Sequence, residues 1–443
     1  MTICRLRQYE VRARCCSTHW VGHTLAGVSE ASALGCITID YTRNLGGKAQ
    51  SSVIGGGFRT PAPNAADANG TLCHALVYDN TGWPRNHPAS PTIPAILAIA
   101  ERDNCTGAQV LLAIVLAFEV QARLRLASQG MSSGGAFHHP GVSGTMGAVT
   151  GAGKLLDLSA AQFCMAFGNA GSRAGTLTAN HGTMTKPSHS GLGARMGTEA
   201  ALLAKSRLTA ADDIFCSGEY LQTFYGAENC NPDLLLRHFG APWRMVDPGV
   251  TFKRYPAKYS IHRAIEAAID LACKHDLTSD NIDAVEIVYP PTKVLDRPQP
   301  CSGLNAKFSL QYGAAAGLLD RAVGIATFTD TRRFACDMQD LLKRINVRVD
   351  SAIPEDSPNA SITVQVRTRD GAVLEQRCDR LKGMAGSPLS REERLAKFRD
   401  FAAGIPSAEA TEKIISRVDH LAAARSSIRP LMSVLRRGNH RPV

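Results

Sequence analysis

The chain has few aromatic residues, 6% of 443, and no basic run longer than a pair such as Arg436-Arg437. Proteins that hold single-stranded nucleic acid rely on aromatic stacking platforms and basic stripes. Both are missing, so the formal net charge of +10 points to small anionic substrates and not to nucleic acid. A long apolar run is missing too: the longest, Val110 to Phe118, stops at Glu119 and falls well short of the ~20 residues a bilayer span needs. The basic start, Met1-Thr2-Ile3-Cys4-Arg5-Leu6-Arg7, leads into no apolar core of signal-peptide length. The expected location is therefore cytoplasmic, with no membrane partner. There are 13 cysteines, but no C-x-x-C pair occurs and Cys15-Cys16 are adjacent, so neither a zinc ribbon nor a thioredoxin motif can be drawn. Scattered thiols in odd number read as reduced, buried small hydrophobes.

Nucleotide signatures fail as well. Gly55-Gly56-Gly57 has no lysine or helix start at phosphate-loop spacing. Gly153-Lys154 has Ala148 where a P-loop needs its first glycine and Leu155 where Ser or Thr would hold magnesium. Gly191-Leu192-Gly193-Ala194-Arg195-Met196-Gly197 misses the dinucleotide spacing by one residue and follows no strand.

What is present is an ordinary folded composition, 44% hydrophobic and 20% charged, on a chain long enough for two domains. Helical patterns cover Ala31 to Leu45, Asn64 to His74, Pro91 to Glu101, Thr106 to Ser128, Gly144 to Leu156, Gly197 to Ser206 and Ser217 to Tyr225. Many are rich in Gly and Ala, which lets helices pack closely in a bundle. Composition shifts near Met245-Val246-Asp247-Pro248. Beyond a helix at Ile261 to His275, alternating segments appear at Ala284 to Tyr289, Ile345 to Val349, Ser361 to Arg367 and Val373 to Arg377, the last two flanking the hairpin signal Asp370-Gly371. After Pro388, Ser390-Arg391-Glu392-Glu393 is a capping box opening a helix with Leu395, Phe398 and Phe401 on one face, and a second helix runs from Ser407 to about Ala424. The fold class is mostly α: an all-helical domain from residues 20–248 plus 389–435, with a smaller α+β domain inserted at 249–388. Residues 1–19 read as irregular and Arg436 to Val443 as frayed.

The chemistry concentrates between Gly134 and Gly197. This stretch opens with Gly134-Gly135-Ala136-Phe137-His138-His139-Pro140 and closes with Gly182-Thr183-Met184-Thr185-Lys186-Pro187-Ser188-His189-Ser190-Gly191. Imidazoles and a lysine beside Gly and Pro place polar groups at element ends, where backbone approaches a ligand closely. A second polar loop, holding Asp79, Thr81 and His87, lies between two apolar helices.

These segments, together with Asn69-Gly70-Thr71-Leu72-Cys73-His74-Ala75-Leu76, Lys253-Arg254-Tyr255-Pro256 with His262, and Ala306-Lys307-Phe308-Ser309-Leu310-Gln311-Tyr312, resemble the MmgE/PrpD family over roughly residues 20 to 430. That family includes 2-methylcitrate dehydratase, cis-aconitate decarboxylase and iminodisuccinate epimerase. The resemblance implies a helical domain with an α+β lid, a homodimer, and no metal or organic cofactor. It implies a pocket in which His138 and His87 move protons, Lys186 and Lys253 hold carboxylates, and Tyr312 donates a hydrogen bond or acts as acid. Asp79, Thr81, His189 and His262 are further candidates for binding substrate. Such residues suit a polycarboxylate, which needs cations for its oxygens and a group titrating near neutrality for the proton. His74, His189 and His262 read equally as satisfied structural histidines, and Tyr312 as core at the head of an apolar helix. The expected activity is a dehydratase on a citrate-like acid, with a decarboxylase or epimerase as alternatives. Where relatives commonly carry Asp-aromatic-Asp/Asn-Asp-Thr, this chain has Val77-Tyr78-Asp79-Asn80-Thr81, which also admits a catalytically impaired carboxylate-binding dimer.

Overall fold

The computed structural model describes residues 3–29, 33–82, 84, 86–129, 136–291, 295–354, 360–384, 386–402, 406–422 and 427–437. Gly134-Gly135, the start of the helix expected at Ala31, the end of the one expected to reach Ala424, and the tail beyond Arg437 lie outside them.

The amino-terminal part is helical: α1 (Ile3–Val28), α2 (Leu34–Leu45), α3 (Ala62–His74), α4 (Ala89–Asp103), α5 (Gly107–Ala127), α6 (Ser143–Leu155), α7 (Ala160–Gly171), α8 (Thr185–Lys205) and α9 (Glu219–Tyr225). Two-residue strands β1 (Ser51–Ser52), β2 (Arg59–Thr60), β3 (Thr81–Gly82) and β4 (Val250–Thr251) pair within it, β1 with β2 and β3 with β4. Then come α10 (His262–His275), β5 (Ile282–Tyr289), the short turn α11 (Gly303–Ala306), α12 (Leu310–Asp320), α13 (Asp330–Arg333), α14 (Cys336–Leu342), β6 (Ile345–Val349), β7 (Ile362–Thr368) and β8 (Val373–Cys378). Three helices close the chain, α15 (Arg391–Ala402), α16 (Ala408–Asp419) and α17 (Arg429–Arg436).

The larger sheet runs β6-β5-β7-β8, with β5 parallel to β6 and antiparallel to β7. The β7–β8 hairpin closes at Gly371, whose φ of 91° needs glycine. The expected strands are thus present, in a mostly helical molecule. The capping box is also present: Glu393 N donates to Ser390 Oγ (3.2 Å) and Ser390 N to Glu393 Oε2 (2.8 Å).

Residues 3–19 are not irregular. α1 runs through them, burying Ala13, Cys16, Trp20, Val21, Leu25 and Val28. The spacing is helical, but alanine, cysteine and two buried histidines carry much of the face, so polar–apolar contrast is low. α8 likewise begins at Thr185, well before the expected Gly197, so Lys186 and His189 stand on its first turns. At the other end α17 reaches Arg436, the first residue of the tail expected to fray.

The cores show how the chain returns on itself. Tyr255 to Leu381 build one apolar cluster, with Ile265, Tyr312, Val364 and Leu341 at its centre. Leu389, Leu395, Phe398, Ile414, Val418 and Leu435 pack instead with α1, α4 and α5. A third cluster fills the space among α3, α6, α8 and α9. Among the described residues no helix is long and apolar enough to cross a membrane.

Candidate active site

α3 and α8 cross where glycines face each other: a Cβ on Gly70 would lie 2.9 Å from Gly191 Cα, and one on Gly191 would lie 2.3 Å from the Asp67 carbonyl oxygen. This close approach brings His74, the last residue of α3, against Lys186 and His189 at the start of α8. Lys186 Nζ contacts His74 Nε2 directly. His138, in the loop before the 3-10 turn His139–Gly141, is fixed by its own N–H on the Thr176 carbonyl (3.0 Å), and its Nδ1 lies 3.0 Å from His189 Nδ1.

Asp79 is the hub. Its side chain is 1% exposed, with Oδ1 3.1 Å from His74 Nδ1 and Oδ2 3.0 Å from His87 Nδ1. Both contacts lie off the ideal hydrogen-bond line. Ser90 Oγ donates to Oδ2 (3.0 Å), and Lys253 Nζ sits 3.4 Å from Oδ1 while donating to the Val77 carbonyl (2.8 Å). Lys253 arrives there because β3 pairs with β4, Thr81 opposite Thr251, two residues ahead of the lysine. Val77 takes a φ of 56°, a left-handed conformation that costs a β-branched residue roughly 1–2 kcal/mol, and its carbonyl is the one that meets Lys253.

Burial and charge set the protonation states. Burial pushes the Asp79 carboxyl up, but His74, His87 and Lys253 outweigh it and hold the group well below the usual carboxylate range. His74, His87 and His138 are all pulled below the ordinary imidazole range, first by burial; Asp79 opposes this for His74 and His87, and Lys186 reinforces it for all three. Lys186 is drawn far down by burial and by Lys253, Lys258 and Lys307, with Asp79 opposing. An ionised Asp79 between two Nδ1 atoms favours a proton on each, leaving both Nε2 atoms as acceptors. The result is a buried site rich in basic groups, with neutral imidazoles and one carboxylate at its hub.

The expected residues are not all brought together. His138, His87, Lys186, Asp79, Lys253 and His189 form the cluster. Thr81 stands beside it, its hydroxyl donating to the Asn86 carbonyl (2.9 Å) and so shaping the His87 loop. His262 is bonded to the Ala257 carbonyl through Nε2 (3.3 Å) and packs on Tyr255. Tyr312 is buried in the α+β core, its hydroxyl donating to the Thr327 carbonyl (2.5 Å) and its ring against Phe328. No contact joins it to the cluster among the described residues, because the first turn of α12 faces inward. His74, which the sequence admits equally as a structural histidine, touches both Lys186 and Asp79; its signal is its place in the Asn69–Leu76 segment ahead of a polar loop. One residue, His181, falls outside the expected set. His181 stands between the regions, its ring 4.9 Å from His138 and stacked on Phe308 at 5.8 Å. Asn80 is structural: its Oδ1 accepts from Ala89 N (3.2 Å) at the start of α4.

His74, His87 and His138 place ligand atoms within 4.8 Å of one another, a donor set that borderline divalent ions accept. Lys186 occupies His74 Nε2, so such an ion would first have to displace the lysine.

The fold is thus a helical bundle joined to an α+β region, with a buried His–Lys–Asp cluster near their junction. The chain belongs to the MmgE/PrpD family: its N-terminal domain matches residues 6–228 and its C-terminal domain residues 255–421. Human cis-aconitate decarboxylase is 32% identical over 377 residues, covering 82% of this chain and 77% of that protein. The mouse cis-aconitate decarboxylase is 30% identical with 82% and 76% covered, and that of Aspergillus terreus 24% identical over 415 residues, with 86% and 83% covered.

Proposed function

We propose that this protein is a lyase acting on a small polycarboxylate, with decarboxylation of cis-aconitate as its reaction. The observation that carries the reading is the buried convergence of Lys186 and Lys253 with three imidazoles around Asp79. Buried bases with so few counter-charges are held short of protons in the free protein and take them up when an anion enters, since buried charge is stable only when paired. Three relatives named as cis-aconitate decarboxylases move the preference from dehydration to decarboxylation.

The chemistry balances on these side chains. Lysines hold the carboxylates of the trianion. The carbon–carbon bond to the carboxylate on the methylene carbon breaks and carbon dioxide leaves. Its electron pair shifts through the double bond to the former vinylic carbon, where the neighbouring carboxylate spreads the charge. The His87/His138 pair delivers a proton to that carbon, giving itaconate, a step for which such general acids contribute roughly 10²–10⁴-fold. Burial keeps these imidazoles neutral in the free protein, and the entering trianion raises them again, so proton uptake accompanies binding. Neutral imidazoles also suit the abstraction that begins dehydration, which keeps a 2-methylcitrate-type substrate as second reading. The α+β region serves as the lid, and a homodimer is the proposed working assembly.

The test is NMR in D₂O with purified protein and cis-aconitate, 2-methylcitrate and a chiral aminodicarboxylate in turn. Itaconate carrying deuterium at its new methylene is expected, falling about 10²-fold or more in Lys186→Ala and His138→Ala. An olefin from 2-methylcitrate alone would transfer the assignment to dehydration, and α-deuteration without carbon dioxide to epimerisation. A folded protein that turns over none of them ends the lyase reading.

A further inference from the structure

Lys186 is placed unlike a lysine that only clamps a carboxylate. Its side chain is 3% exposed, and its nearest partner is an imidazole nitrogen, not an acid. His74 Nδ1 faces Asp79 Oδ1 at 3.1 Å, so His74 Nε2 is the acceptor and Lys186 the donor in their contact. An amine that donates one N–H to His74 keeps its lone pair for an electrophile. Other lysines act on it: Lys253 follows β4, and Lys258 and Lys307, joined by a backbone bond of 2.9 Å, come from the α+β side. A desolvated lysine beside other cations is the arrangement that makes an amine nucleophilic at neutral pH.

We propose that Lys186 is a nucleophile toward 2-oxo dicarboxylates, forming an imine and decarboxylating a substrate of the oxaloacetate type. Nζ adds to the ketone carbon, and His74 and its neighbours move the protons as water is expelled. The bond from the methylene carbon to the distal carboxylate breaks, carbon dioxide leaves, and the electron pair passes to the iminium nitrogen as an enamine. A proton returns to that carbon from the imidazole cluster, and water hydrolyses the imine to pyruvate and free Lys186. No oxidant or reductant is required. This activity uses the same site as the aconitate reaction but a different bond to the protein.

The groups facing Nζ support a free amine. Burial, then Lys253, Lys258 and Lys307, lower its proton affinity; Asp79 opposes them; and His74, His138, His181 and His189 add no negative charge.

The experiment is borohydride trapping of the full-length protein with oxaloacetate, followed by peptide mapping. The expected result is a reduced pyruvyl adduct on Lys186, blocked by excess cis-aconitate and absent in Lys186→Met and Lys186→Arg. Cyanoborohydride trapping across pH 6.5–9 should proceed at nearly constant rate, whereas an ordinary lysine gains about tenfold per pH unit. Three results would overturn the proposal: no adduct on Lys186, labelling that Lys186→Met leaves unchanged, or a tenfold rise per unit. Because mapping is done on the parent protein, a variant that misfolds does not decide the matter. Itaconate formation without any adduct would remove this activity and leave the aconitate reading standing.

Discussion

At the residue scale, Asp79 carries more than any other side chain. It faces the Nδ1 atoms of two histidines, takes a bond from Ser90 and neutralises Lys253. Acids at the positions of Val77 and Asn80, expected from the family resemblance, are therefore not needed to orient His74 or His87. Asp79→Asn keeps the size but offers an amide where a carboxylate faced two imidazoles. One nitrogen then meets a donor, the tautomers are no longer fixed, and Lys253 is left buried with only a carbonyl. Kinetics should show kcat/KM for the substrate down by about 10²–10⁴, as when a comparable histidine loses its orienting carboxylate. Urea unfolding should show a loss of ~3 kcal/mol, the cost of breaking a buried ion pair. Near-parental activity in a folded Asp79→Asn protein would mean that Asp79 is only structural.

At the scale of elements, legibility followed contrast. α5 lies within a residue of the expected Thr106 to Ser128 because its run is strongly apolar, and the structure adds a capping box of Thr106 with Gln109 at its start; β5 to β8 are legible because alternation is a two-residue signal that burial enforces. α1 was not read, because it buries His19 and His23 along with its apolar residues. The candidate site was legible as a set of polar segments, yet which imidazoles meet depends on how α3 lies on α8, and no local pattern reports that. Tyr312 shows the limit: its motif is intact, but its side chain serves the core. The Gly70–Gly191 crossing sets the meeting of His74 with Lys186, so Gly191→Ala tests it. A methyl there would press on Asp67 and Thr71 at 2.2–2.5 Å, and overpacking of this kind costs about 1–3 kcal/mol. Activity should fall along with the denaturation midpoint, because α8 moves as a unit. Gly324→Ala, where a Cβ meets nothing within 4 Å, should change neither. A Gly191→Ala protein with parental stability and activity would show that the crossing tolerates separation.

At the scale of the whole molecule, the amino and carboxyl ends meet around buried bases. Lys397 of α15 donates to the Lys253 carbonyl and lies 3.7 Å from the centre of the Tyr78 ring. Beside it, His23 is fully buried with neither ring nitrogen bonded, and the His19 ring lies against it, tilted by 56° with centroids 4.0 Å apart. Burial, then Lys397, pulls both histidines well below the ordinary 6.5. In the active site burial brings His181 to about 2 and His189 to about 4. The folded chain thus refuses protons that the unfolded chain takes up once the pH falls below about 6.5, so stability is greatest above that value and is lost below it. Asp67, pushed by burial to about 6, works the other way between 3.8 and 6, as one carboxyl against several imidazoles. Asp79, held low, adds its loss only below the ordinary carboxylate range near 4. Buried Lys186, Lys253 and Lys397, all held below their ordinary range, slope the same way as the histidines at higher pH. Urea midpoints should therefore fall from pH 7.5 to pH 5, and His23→Leu, which removes an unbonded buried base without opening a large cavity, should flatten the fall. A midpoint that holds level or rises over that interval would mean that these imidazoles are solvated or charged in the native protein, and with them the neutral acid–base cluster on which the proposed chemistry depends would be lost.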